Sequence, residues 1–263
     1  MLTAEQIISQ FEEWAPMSYA EDWDNVGLLI GDAGAPVKKI LVALDATEEV
    51  IGEAVAGGFD FIICHHPLVY NPIKRVTSAD STGRKIISLV KNGIGCFCAH
   101  TNLDKAVGGV SDCLAEKIGL NYVSPLIKEE NECIGIGRVG FISEETTLSR
   151  LAENVKISLN LPSLRFSGSS DKKIKKVAIC GGDGSSARYV DAAISQNCDA
   201  YITGDLRYHC VQEALESGIG LIDITHYGSE ILVVDAIISR FKNQVEIFPS
   251  SIDGQVFKHI GNH

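Results

Sequence analysis

The sequence predicts an α/β protein of two similar lobes with mostly parallel sheets, and three observations carry that expectation. Short continuous apolar runs alternate with amphipathic stretches, which is how strands buried on both faces of a parallel sheet read. The alternation occurs twice in the same order. Polar residues with ligand chemistry gather at the ends of those runs.

The chain opens with helical periodicity at Ile7, Ile8, Phe11 and Trp14; Thr3 and Gln6 are spaced as a capping box, and Pro16 ends the helix. A polar loop, Asp22-Trp23-Asp24-Asn25-Val26-Gly27, leads into a short strand at Leu28 to Ile30. The first set of runs is Lys39 to Asp45, Asp60 to His66 and Gly93 to His100. The second is Lys176 to Cys180, Asp199 to Asp205 and Gly218 to His226. Asp45 to His65 spans 20 positions and Asp183 to Asp205 spans 22, so the two sets read as an internal duplication, the first carrying an extra loop at Pro67 to Ser81. Between them lie a glycine-rich strand at Cys133 to Ile142, a helix over Thr147 to Leu159 marked by Leu148, Leu151 and Val155, and a strand at Leu164 to Ser167. The expected boundaries are a first lobe over 1–125, a short connection over 126–170 and a second lobe over 171–263, with a site between the lobes.

The 263 residues suit one large domain or two joined lobes, and 45% apolar content supports a sizeable core. A net charge of −11 repels phosphate backbones, so sequence-independent nucleic-acid binding has no electrostatic support. The start Met1-Leu2-Thr3-Ala4-Glu5-Gln6 reads as neither a secretory signal nor a transit peptide, and no run approaches the roughly 20 apolar residues of a membrane span. A cytoplasmic protein is expected. Of eight cysteines, Cys64, Cys96, Cys98, Cys180 and Cys198 sit in or beside apolar runs without framework spacing and read as buried free thiols. The basic run Asp171 to Lys176 reads as a solvated strand entrance.

Open parallel sheets bind ligands at the carboxyl ends of their strands. His65 and His66 close the second run, His100 and Asp104 follow the third, Asp205 closes the fifth, and His226 closes the sixth with Glu230 one helical turn later. Imidazole with carboxylate suits a borderline divalent metal: zinc, manganese, iron or nickel. Asp104 has two oxygens with which to bridge two cations, so the set His65, His66, Asp104, His226 and Glu230 describes a dinuclear site. His100 is a further possible ligand, but the preferred role is to orient Asp104 or bound water. The loop Cys180-Gly181-Gly182-Asp183-Gly184-Ser185 follows a strand and is read either as an anion cradle or as a tight strand-to-helix turn.

Five ordered motifs, Trp23-Asp24-Asn25-Val26-Gly27, His65-His66-Pro67-Leu68, His100-Thr101-Asn102-Leu103-Asp104, Thr203-Gly204-Asp205 with Tyr208-His209, and His226-Tyr227-Gly228-Ser229-Glu230, together resemble the Nif-three-like family. Its members are also named GTP cyclohydrolase I type 2 homologues. The resemblance implies an α/β fold of two lobes, a dinuclear metal site and a toroidal hexamer. It carries the family's ligands onto His65, His66, Asp104, His226 and Glu230, the set reached from strand ends. Longer members hold an inserted domain that the short connection here excludes, and Thr225 stands where the family often has glycine. The expected function is metal-dependent hydrolysis of a nucleotide or phosphoester, with Asp205, His209 and His100 as candidate acids and bases. The alternative is a non-catalytic metal-binding scaffold or metallochaperone forming a ring.

Overall fold

The computed structural model describes residues 2–258 and 260. The chain forms two compact units, Met1–Ala106 with Val233–Gly254, and Val107–Leu232 with Gln255–His263. These boundaries differ from 1–125, 126–170 and 171–263, and strand pairing is the reason. Gly135–Thr147 pairs with Lys173–Asp183, which draws the segment 126–170 into the second sheet, while Glu246–Pro249 pairs with Lys39–Ala43 and returns the late chain to the first.

The first unit is a five-stranded sheet in the order Glu246–Pro249, Lys39–Ala43, Phe61–Cys64, Gly95–Cys98, Gly27–Ile30. The first four are parallel; Gly27–Ile30 runs against them at the edge. Side chains alternate across the pleat, so each strand feeds two cores. Leu41, Ile62, Cys64, Cys96 and Cys98 face the helices Glu48–Ala56 and Ser81–Asn92 in one buried cluster. On the other face Phe97 meets Phe11 at 4.8 Å between ring centroids, and Phe11 stacks on Phe241 at 5.1 Å. Phe11 belongs to the opening helix Ala4–Trp14, whose Thr3–Gln6 capping box is made in both directions.

The second unit repeats the theme with Lys173–Asp183, Ala200–Gly204 and Gly220–Asp223 as adjacent parallel strands. Its sheet is mixed, because Asn121–Lys128, Gly135–Thr147 and Arg165–Ser167 add antiparallel partners at the edges. Val177 and Ile179 point into one core and Ala178 and Cys180 into another, as the continuous apolar run requires. The basic run at its entrance is anchored to backbone oxygens: Lys172 Nζ donates to Asp199 O, Lys175 Nζ to Ile142 O and Ser143 O, and Lys176 Nζ to Gln196 O. All eight cysteines are free thiols, and Cys64, Cys96, Cys98, Cys180 and Cys198 are buried. Among the described residues no helix is long and apolar enough to cross a membrane.

Candidate metal centre

In the first unit the strand Phe61–Cys64 runs into His65 and His66. His65 is fully buried, and its Nδ1 lies 2.8 Å from Ala99 O. A carbonyl oxygen only accepts, so Nδ1 carries the proton and Nε2 keeps its lone pair. His66 is held by the same logic through Asp45, with Nδ1 2.9 Å from Oδ1, and His100 through Asp24, with Nδ1 2.8 Å from Oδ1. One donor atom from each of His65, His66 and His100 falls within 4.8 Å of the others, a group that could hold a metal ion. Asp104, on the short helix Thr101–Lys105, brings Oδ1 to 3.6 Å from His65 Nε2.

Asp24 sits under this cluster. Its side chain has no solvent exposure, and it accepts from His100 Nδ1, Thr101 N and Thr101 Oγ. Burial pushes its pKa up, but the bonds from His100 and Thr101, with the charge of His100, more than offset this and hold it at about 2.

In the second unit the strand Gly220–Asp223 leads to Thr225, which caps the helix His226–Glu230 through an Oγ that accepts from Gly228 N at 3.2 Å. His226 Nδ1 lies 2.9 Å from Asp205 Oδ2 and its Nε2 lies 3.2 Å from Glu230 Oε2, so the i,i+4 pair does face one point. Glu230 is 3% exposed, and glycines make that burial possible. A Cβ on Gly182 would stand 2.3 Å from Glu230 Oε1, and Gly182 has φ +64. Gly182 N also donates to Ser229 Oγ at 2.8 Å. The glycine loop thus seats the helix His226–Glu230, which accounts for its composition without an anion.

The placements of the sequence-expected residues now separate. His65, His66, His100 and Asp104 come together in the first unit, and His226 and Glu230 in the second. Asp205 is the oxygen that orients His226. His209 is exposed on the first turn of the helix Tyr208–Glu216, with Nδ1 3.2 Å from Gln212 Oε1, and belongs to no metal-competent group among the described residues. Sequence reasoning missed the orienting roles of Asp24 and Asp45. Both were visible as acids in polar turns, but nothing in their spacing says which histidine they meet.

Every histidine of the two clusters therefore has Nδ1 bonded to an oxygen acceptor. Metal-ligating histidines show this arrangement almost always, because the second nitrogen's bond fixes the ring and raises its basicity. The donor chemistry fits a borderline divalent cation.

Comparisons with known proteins place the chain among relatives that match nearly its whole length. A Clostridium perfringens protein named GTP cyclohydrolase 1 type 2 homolog is 39% identical, over 97% of this chain and 98% of its own length. The crystal structure of a Bacillus cereus protein related to NIF3 superposes with a TM-score of 0.90 at 27% identity, covering 98% of this chain and 99% of that one. Reduced HcgD from Methanocaldococcus jannaschii superposes with a TM-score of 0.82 at 31% identity, over 95% and 98%. The model of the Duf34/NIF3 (NGG1p interacting factor 3) family matches residues 2–255, the span that holds every histidine of both clusters, and the chain belongs to that family.

Proposed function

We propose that the chain is a dinuclear metal-dependent hydrolase acting on a nucleotide or phosphoester, in which His65, His66, Asp104, His226 and Glu230 would hold two divalent cations. The observation that supports it best is the common pinning of Nδ1 by Ala99 O, Asp45 and Asp205, which prepares each imidazole to coordinate through Nε2. Bound divalent ions supply a lowered water pKa and a Lewis acid for the substrate oxygen. Asp104 offers two oxygens, as a bridging carboxylate needs. His100, paired with the Asp24 carboxylate, is the residue placed to move a proton at Nε2, since Asp24 holds the ring through Nδ1 and leaves Nε2 free of that bond. Asp205 orients His226, and His209, whose Nδ1 lies against Gln212 Oε1 on an exposed helix, is kept as a second candidate acid or base. The relatives' name points to a nucleotide, and a homohexamer is the assembly proposed by resemblance.

Elemental analysis after reconstitution with zinc, manganese, iron or nickel tests the metal centre: two ions per chain are expected, falling in His66→Ala and Glu230→Gln with the circular-dichroism spectrum unchanged. A stoichiometry of zero in the reconstituted parent overturns it. A screen of nucleotides and phosphoesters on the loaded protein separates hydrolase from scaffold, and turnover must fall in His100→Ala with metal retained.

A further inference from the structure

A tryptophan and a tyrosine stand at the solvent edge of the first unit's histidine cluster. Trp23 is 54% exposed and Tyr70 is 50% exposed. Their ring centroids are 5.8 Å apart at 45°, and Trp23 also meets His100 at 6.1 Å, edge to face. His100 in turn lies 5.1 Å from His65 and 5.5 Å from His66. A continuous run of rings thus leads from the metal-competent imidazoles to an exposed indole, one ring away.

The position is held from both sides. Asp24, next to Trp23, is locked by His100 and Thr101, and Asn25 Nδ2 donates to Val69 O, which ties the tyrosine's loop to the tryptophan's. That loop begins directly after His66 and runs over 67–80 without helix or strand, a length usually kept for binding. It also carries Lys74 and Arg75, both exposed. A large aromatic side chain left half in water has gained little from folding, and fixing it there by neighbouring hydrogen bonds favours a surface that a ligand covers.

We propose that Trp23, backed by Tyr70, is a stacking platform that positions the planar heteroaromatic ring of a phosphorylated ligand beside His100. The proposal rests on the hydrolase function above for its chemistry, but its binding step does not need the metal. The two rings already touch each other, so the ligand ring stacks on the outer face of the pair. Lys74 and Arg75, four and five residues beyond Tyr70, supply cations for the phosphate that the overall acidity of the chain otherwise disfavours. A base stacked on an aromatic face is retained whatever its hydrogen-bonding edge, so the platform selects ring over no ring.

The chain has two tryptophans, and Trp14 packs against Phe11 and Arg240, so Trp14→Phe leaves Trp23 as the sole indole reporter. Guanosine 5′-monophosphate is titrated into this protein, metal-free and metal-loaded, with ribose 5-phosphate as the ringless control. Saturable quenching by the nucleotide alone is expected in both forms. In the background of intact Trp14, Trp23→Leu and Tyr70→Leu, each checked for native circular dichroism, should weaken binding in equilibrium dialysis, by about tenfold for Trp23→Leu, whereas Trp23→Phe stays within about threefold. Quenching by ribose 5-phosphate, equal binding by both leucine variants, or quenching that follows protein concentration without nucleotide overturns the platform; the last result assigns the surface to a second copy. Failure of the metal centre shows in elemental content and leaves the metal-free titration unchanged.

Discussion

The carboxylate of Asp24 lies 2.8 Å from Nδ1 of His100 and is closed off from solvent, so one loop acid decides which nitrogen of that imidazole carries the proton. The pair has a measurable signature. Asp24 has a folded pKa of about 2 against 3.8 for the ordinary carboxyl, so its contribution to stability is complete above pH ~4 and is lost as pH falls from about 4 to 2. That gap corresponds to about 2 kcal/mol. Asp24→Asn should therefore trail the parent in urea unfolding at pH 6, and the difference should shrink as the pH is stepped to 2.5. A difference that stays constant over that range contradicts the assignment.

Asp45 and Asp205 orient their histidines from half-exposed positions, with side-chain exposures of 45% each. Replacing either by alanine leaves little to destabilise, but frees an imidazole to rotate. Metal affinity in Asp45→Ala and Asp205→Ala should fall by about 10- to 100-fold, read by competition with a chromogenic chelator, while unfolding shifts by less than about 1 kcal/mol. His209→Ala serves as the comparison: its ring bonds Gln212 on an exposed helix, and metal affinity should not move.

The strand ends were legible in the sequence because burial on both faces leaves a strand no room for polar residues until it leaves the sheet. His65 after Phe61–Cys64 and His226 after Gly220–Asp223 stand where that rule puts them. The partners of each histidine were not legible. Asp24 reaches His100 across 76 positions and Ala99 O reaches His65 across 34, distances at which hydrogen bonding depends on how strands pair. The role of residues 126–170 was hidden for the same reason. Cys133 to Ile142 reads as a lone strand in the sequence, whereas in the structure the strand is Gly135–Thr147 and Lys173–Asp183 pairs with it.

Gly182 tests whether the glycine loop serves the ligand helix. Its φ of +64 disfavours any side chain, and an added Cβ would stand 2.3 Å from Glu230 Oε1. Gly182→Ala should destabilise the fold by roughly 1–3 kcal/mol and lower metal content, since Glu230 must move. Gly93 also has φ +65, yet its Cβ would meet nothing within 4 Å. Gly93→Ala should cost about 1 kcal/mol and leave metal content at the parent's level. Equal metal loss in both variants would show that backbone strain alone, and not contact with Glu230, explains the loop.

Thr225 occupies a conformation that is nearly reserved for glycine, with φ 65 and ψ 157. A non-glycine residue there costs of order 1–3 kcal/mol. Its hydroxyl returns part of this by capping the helix that carries His226 and Glu230, through Gly228 N. The two terms can be weighed, because replacing a capping threonine by glycine costs only a few tenths of a kcal/mol, whereas alanine or valine at a cap costs about 1 kcal/mol. Relief of strain should win. Thr225→Gly is expected to raise the urea midpoint, and Thr225→Val, which keeps the strain and loses the cap, to lower it by about 1 kcal/mol. Metal content separates a structural role from a functional one: if the cap sets the aim of His226, Thr225→Gly gains stability but binds metal more weakly. A glycine variant less stable than the parent would mean that the cap outweighs the strain and that the backbone at Thr225 is relaxed.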